Sequence, residues 1–361
     1  MNKKSAARAA AVIEIGSNNV RMRISQWTKG SVVTLDRLEY PVSLGHDVFS
    51  TGSISFDSLR ELSAVLSKFS AALLSYNIEK PRVISCTALR EARNRALVVD
   101  QLKVRNGMDV AVLEDSQEKA YIYQEIIAKL GGGKPVQPGN TMIGYVGSGS
   151  IGVAVYDGEK IVYSQNISMG ALKLHDVLRR MRQESEDFHY IIEEYLDTIF
   201  NRVAIDRFQI KNLVLTGSQL ELVAQLCQAQ SPDGPYEIRT ENLTSLYKSI
   251  RSATAESIAN RFGITEERAA LLYTSLSIYN GLLRFCPTAD RVVSPPVDIS
   301  EAILRYMLTP KAEAALASYL RQSALACAET TASSFSCDLD HSRRTGEIAC
   351  KIFDKLKKVH G

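Results

Sequence analysis

An α/β chain folded as two similar lobes that face each other across a cleft is what the sequence predicts. Three observations carry this. Ala11–Ile24 reads as an apolar strand, a tight turn of Gly16, Ser17, Asn18 and Asn19, and a second apolar strand. Thr141–Val155 repeats that pattern about 130 residues later, around the turn Gly147, Ser148, Gly149 and Ser150. After each hairpin, strands alternate with helical periodicity, which places helices against a mixed sheet. A turn rich in glycine and small hydroxyl residues lets backbone N–H groups converge on an anion.

The remaining elements follow in chain order. Ser31–Tyr40 reads as a third strand, and Pro41–Thr51, with Gly45 and His46, as a loop. Ser55 or Asp57 caps a helix to about Tyr76, with Leu59, Leu62, Leu66, Phe69 and Leu73 at helical spacing. Pro81–Cys86 is a short strand, and Thr87 caps the helix that carries Arg90, Glu91 and Arg93. Val110–Leu113 is a strand, followed by a helix over 117–130 that starts at Asp115 or Ser116. Gly131–Gly139 is the clearest linker and sets a boundary between residues 1–130 and 131–310. In the second lobe, Lys160–Ser164 and Asn212–Gly217 read as strands. Helices are expected over 172–203, 219–229, 241–251, 254–262, 265–285 and 298–320. His341–Gly361 is a strongly amphipathic helix within a third segment, 311–361.

Composition excludes several classes. A length of 361 residues suits two or three domains, and 45% hydrophobic with 23% charged residues is ordinary for a globular protein. A net charge of +3 gives no argument for nucleic acid. The six cysteines are scattered without CxxC spacing, which fits a reduced, cytoplasmic protein better than a disulfide or zinc framework. No stretch is long and apolar enough to suggest a membrane span. The basic N-terminal stretch lacks the apolar core of a signal peptide. The five histidines make no metal-spaced cluster and read as structural or exposed.

Each candidate residue also has a plainer reading. Either glycine turn can be an ordinary hairpin turn, although the pair agrees in spacing and order. Arg90 and Arg93 follow a strand end, where arginine can clamp phosphate bidentately or simply face solvent. Glu118 lies in a first helical turn, where the helix dipole stabilises an acid.

At these residues the chain resembles the exopolyphosphatase / guanosine pentaphosphate phosphohydrolase (Ppx/GppA) family. Glu14-Ile-Gly-Ser-Asn-Asn19 is similar to that family's Asp-(Ile/Leu)-Gly-Ser-Asn-Ser. Ser85-Cys-Thr-Ala-Leu-Arg-Glu-Ala92 resembles its Thr-(Ser/Ala)-Ala-Leu-Arg-(Glu/Gln)-Ala. Residues 116–120 fall on its Gly-x-Glu-Glu-Ala, and Tyr145–Gly152 falls on its Asp-Ile-Gly-Gly-Gly-Ser-Thr-Glu. Ser168–Leu174 and Asn212–Gly217 match two further segments. The resemblance spans essentially the whole chain. It implies two actin-like (ribonuclease H-like) lobes flanking a cleft, with a C-terminal helical extension. The last 21 residues resemble the first helix of the family's HD-like domain, whose body is missing, so truncation or late loss of that domain is expected.

The resemblance implies metal-assisted phosphoanhydride hydrolysis, with a glutamate base, acids on Mg²⁺, and Gly/Ser turns and an arginine on the phosphates. Carried over by position, the acids are altered. The first-hairpin aspartate is Glu14, which retains the capacity to ligate metal. The catalytic glutamate is Lys119, the second-hairpin aspartate is Tyr145, and the closing glutamate is Gly152. The phosphate-binding set survives as Ser17, Asn18, Arg90, Gly147, Ser148, Gly149 and Ser150. The expectation is a protein that binds polyphosphate or guanosine tetra- or pentaphosphate with lost or much reduced hydrolysis. It would be a homodimer that engages neither nucleic acid nor membrane. The alternative is an active Mg²⁺-dependent phosphohydrolase using Glu118 and Glu14; Mg²⁺ is expected only in that case.

Overall fold

A computed structural model describes residues 9–131, 138–181, 188–229, 231, 234–309 and 312–360. The first sheet comes from β1 (Ala9–Ile15), β2 (Asn19–Thr28), β3 (Ser31–Pro41), β4 (Arg82–Ser85) and β5 (Val110–Val112). Its order is β3-β2-β1-β4-β5, an antiparallel meander followed by two strands parallel to β1. Its helices are α1 (Leu44–Thr51), α2 (Phe56–Ser75), α3 (Thr87–Glu91), α4 (Arg95–Asn106) and α5 (Asp115–Lys129).

The second sheet repeats this plan with β6 (Asn140–Val146), β7 (Ile151–Tyr156), β8 (Ile161–Ile167) and β9 (Ile210–Gly217). It adds β10 (Tyr236–Arg239) and β11 (Arg291–Ser294), in the order β10-β11-β9-β6-β7-β8. Around it lie α6 (Ala171–Met181), α7 (Phe188–Phe200), α8 (Leu220–Leu226), α9 (Thr240–Ile250), α10 (Ala255–Phe262) and α11 (Glu266–Leu282). The chain ends in α12 (Ile299–Leu308), α13 (Ala312–Ser334), α14 (Leu339–Lys355) and α15 (Lys357–His360).

Strand alternation builds three apolar layers. Ala11, Ile13 and Ile15 point into a core with α1, α2 and α4, while Ala10, Val12 and Ile84 point the other way. Met142, Leu213, Leu215 and Val292 face the second lobe's own helices, while Ile143, Val214 and Val293 point back. The two inward faces meet α5 (Ile122, Tyr123, Ile126) and α12 (Ile299, Ile303, Leu304) in one shared core. Burial of strands on both faces explains their nearly continuous apolar runs. Polar ties edge this layer. Glu125 on α5 is fully buried and receives a bidentate Arg305 at 2.9 and 3.0 Å.

Several expectations change. Pro41–Thr51 is not simply a loop, because Leu44–Thr51 forms α1 with Leu44 and Val48 buried. Gly45 sits there because a Cβ would lie 2.8 Å from the Ser17 Cβ and 2.9 Å from Leu172. Thr87 is not a cap but the first residue of α3, and its hydroxyl accepts from Arg90. Helix α4 and edge strand β10 lacked a clear periodic signal, and β11 is four residues long. The single helix expected over 298–320 is divided between α12 and α13, with 310–311 outside the described residues. Residues 182–187, inside the helical run expected over 172–203, also lie outside them, as do 132–137 of the linker. No helix among the described residues is long and apolar enough to cross a membrane, and all six cysteines are free thiols.

Replacing Arg305 with Met should lower the unfolding free energy by about 1–3 kcal/mol, because Glu125 loses its bidentate partner inside the protein. Urea denaturation, read as a lower midpoint at unchanged slope, measures this.

Candidate phosphate-binding cleft

Each glycine turn is held from behind by the start of a helix. In the first, the Gly45 N–H of α1 donates to the Ser17 carbonyl at 2.6 Å and Val42 N–H to the Asn18 carbonyl at 3.1 Å. In the second, Ala171 N–H donates to Gly147 O, and Leu172 and Lys173 N–H both donate to Ser148 O, each at 3.0 Å. Gly170 makes that approach feasible, since a Cβ there would strike the Gly147 carbonyl. With their carbonyls engaged, the turns leave N–H groups over. Those of Ser17, Asn18, Ser148 and Gly149 donate to no described residue. The Ser17 hydroxyl is buried and equally without a partner.

Between the turns lies a cavity of about 240 Å³. Gly16–Asn19 forms one wall and Tyr145–Ser148 the facing one. A third turn, Gly217-Ser218-Gln219 at the end of β9, closes the back. Gly217 has φ +120°, and a Cβ would collide with Val146 O, so only glycine permits this junction. Asn19, Arg21, Gly217, Gln219 and Val297 also line an adjoining cavity of about 590 Å³. Its wall adds Arg23, Arg37, Lys129 and Arg268, opposed by Glu39, Glu221, Asp298 and Glu301. Most of these cations are paired: Arg23 with Asp298 at 3.0 Å, Lys129 with Glu301 at 3.1 Å, and Arg37 with Glu39 at 3.6 Å. Arg268 makes no side-chain ion pair or hydrogen bond with a described residue.

The candidates from sequence fall into two groups. Glu14, Ser17, Asn18, Tyr145, Gly147 and Ser148 line the smaller cavity. Arg90, Glu118, Lys119, Gly149, Ser150 and Gly152 lie off both cavity walls. The Arg90 guanidinium is already engaged by Leu113 O at 2.7 Å and by Glu118, Asp115 and Thr87 at 3.1 Å. Lys119 is 1% exposed, and its ammonium meets Ser150 Oγ at 2.7 Å, Asp115 at 3.3 Å and Glu118 at 3.5 Å. Two cations and two carboxylates therefore cancel, so this cluster adds little field to attract an anion. Arg93 instead binds the carbonyls of Thr51 and Gly52 at the end of α1. Cavity residues that escaped sequence reasoning include Arg21, Gln219, Arg268 and Asp298, which come from strands, a third turn and helices outside the two paired hairpin turns.

Mg²⁺ takes a near-octahedral oxygen set that includes one or two carboxylates. Glu14 is the one carboxylate on the smaller cavity's wall, with Arg21 4.0 Å away. Among the described residues no three of His, Cys, Asp and Glu gather to hold a metal. Burial pushes the Glu14 carboxyl up to about 7, with Asp298 and Glu118 adding to the rise against Arg21. Burial likewise raises the Tyr145 phenol well above its usual range, helped by Glu118 and Glu14, so it is a neutral hydroxyl. At Asp298, burial is outweighed by Arg23, Arg21 and the N–H groups of Ser300 and Glu301, which hold its carboxyl below the usual range.

The family model described as "Ppx/GppA phosphatase family" matches residues 23–296. A guanosine-5'-triphosphate,3'-diphosphate pyrophosphatase of Photobacterium profundum is 31% identical over 122 residues, 34% of this chain and 24% of that one. Its counterpart in Vibrio atlanticus is 24% identical over 162 residues, 45% of this chain and 32% of the other. These matches span about a quarter to a third of those relatives' length. Among solved structures, an exopolyphosphatase from Cytophaga hutchinsonii superposes with a TM-score of 0.73 at 18% identity, covering 83% of this chain and 97% of that one. The Aquifex aeolicus member of the Ppx/GppA family gives 0.68 at 20% identity, covering 82% and 96%. At such identities the structures establish the shared fold.

A carboxyl raised from 4.5 to about 7 holds its proton in the folded state where the unfolded chain has lost it. Folding stability therefore falls as pH rises from 4.5 towards 7 through this group. In Glu14→Gln that component should vanish, so the variant's melting temperature should gain on the native protein's across this window. Parallel melting curves from pH 5 to 8 check it.

Proposed function

The chain belongs to the Ppx/GppA phosphatase family, and from that premise we propose that its cleft binds a phosphate-rich anion with hydrolysis lost or much reduced. The candidates are polyphosphate and guanosine tetra- or pentaphosphate, the latter in keeping with the names of its curated relatives. One observation carries the reading: two facing turns present unclaimed N–H donors and the Ser17 hydroxyl, while a single carboxylate lines the space between them. Backbone donors converging from two turns can hold phosphate oxygens without a metal. In the adjoining cavity the unpaired Arg268 guanidinium offers a second anchor for a long or branched anion.

The same geometry works against catalysis. A base must reach the attacking water, yet Glu118 is off the cavity wall and held by Arg90 and Lys119. A missing general base alone costs on the order of 10²–10⁴ in rate. The Lys119 ammonium, occupying the position of the family's glutamate, has no lone pair with which to replace it. We take the working form to be a cytoplasmic homodimer that needs no Mg²⁺ for binding.

Calorimetric titration with inorganic tripolyphosphate and with guanosine tetraphosphate, each with and without EDTA, tests this alongside phosphate release. Binding should be indifferent to EDTA, and Ser17→Ala should weaken it about tenfold. Phosphate release should appear only when Lys119→Glu, Tyr145→Asp and Gly152→Glu are combined. Mg²⁺-dependent release by the native protein that collapses in Glu118→Gln would overturn the reading in favour of an active phosphohydrolase.

A further inference from the structure

The three positions where this chain departs from the family's acids touch one another. The Lys119 stem crosses the face of Gly152, where a Cβ would lie 3.0 Å from its Cδ and Cε and would collide with the Tyr123 hydroxyl. The Lys119 ammonium then sits 5.1 Å from the centre of the Tyr145 ring. It ends 2.7 Å from Ser150 Oγ, which itself donates to Asp115 at 3.2 Å. A side chain at 152 would evict Lys119, and an anion at 145 would change its partners. Lysine, tyrosine and glycine therefore form one packed unit.

That unit spans the lobes. Asp115, Glu118 and Lys119 are on α5, and Arg90 is on α3, both beside the first sheet. Ser150 and Gly152 belong to the second sheet's hairpin. Beside it, Gly149 packs so closely on Thr87 that a Cβ would clash, and Lys173 on α6 reaches Glu91 on α3 at 2.8 Å. Burying an ammonium is strongly unfavourable unless it is well paired. Asp115 and Glu118 share α5 with Lys119, so Ser150 Oγ is the polar partner that the ammonium gains only when the two lobes are in contact.

We propose that Lys119 is a built-in latch, an internal cation that ties α5 to the second glycine turn and keeps the lobes closed. The ammonium bridges the carboxylates of one lobe to the hydroxyl of the other, and Gly152 is the space that admits it. This inference rests on contacts within the chain and stands apart from what the cleft binds.

Hydrogen–deuterium exchange and small-angle X-ray scattering on the ligand-free protein test it. Lys119→Met and Ser150→Ala should each speed exchange about tenfold or more at 147–152 and at 171–173, whose N–H groups hold the turn. Both should increase the radius of gyration, whereas the native protein's should not change with inorganic tripolyphosphate, with or without Mg²⁺. Unchanged exchange and scattering in Ser150→Ala that still melts cooperatively would overturn the latch. Ser150→Ala keeps the Lys119 pairs with Asp115 and Glu118, so it decides the matter even if Lys119→Met fails to fold.

Discussion

The rest of this structure depends on one apolar layer, in which α5 and α12 lie between two mixed sheets. Each sheet needs both faces covered, because its central strands are apolar on both sides. Outer helices cover one face of each sheet, and the two remaining faces share the helices between them. That arrangement aims the C-terminal ends of β1 and β6, with the turns that follow them, at a common space. The cleft is a consequence of covering four faces with three layers of helices.

Electrostatics within the cleft follow from what is exposed to it. The altered acidic positions make the local sequence more cationic, yet the added charge is sealed away. Lys119 is buried against Asp115, Glu118 and Ser150, and Arg90 is saturated by partners of its own. In the proposed binding role, attraction for an anion falls to backbone N–H groups, the Ser17 hydroxyl and Arg268. Glu14 opposes it when ionised, and its carboxyl, raised to about 7, moderates that opposition near neutrality.

Duplication of the hairpin plan is reinforced by a detail invisible in either motif alone. The N-termini of α1 and α6 play the same part, donating N–H groups to the carbonyls of the first and second turns. This fixes which way each turn's peptide planes face and leaves the opposite N–H groups free for the cleft. It also explains why small residues occur at Gly45 and Gly170, remote in sequence from the turns they support.

Much of the fold was legible along the chain. The paired glycine turns, the alternating strands and the long helices of periodic leucines are local patterns, set by nearest-neighbour geometry and by burial of one stripe. Helix α1 was hidden because Pro41 and Gly45 read as breakers, and β10 because four edge residues show no distinctive alternation. The residues of the two turns were equally legible, but their surroundings were not. Whether Arg90 faces a ligand or Glu118, and whether Lys119 adds charge to the cleft or spends it on buried partners, depends largely on side chains 25 to 31 residues apart meeting in space. The sequence by itself determined the two-lobed α/β plan and the lysine, tyrosine and glycine at 119, 145 and 152. Only the tertiary structure decided that the Lys119 ammonium is spent in a neutral cluster off the cavity wall while Tyr145 lines that wall, because ion pairing and burial are properties of contact, not of order along the chain.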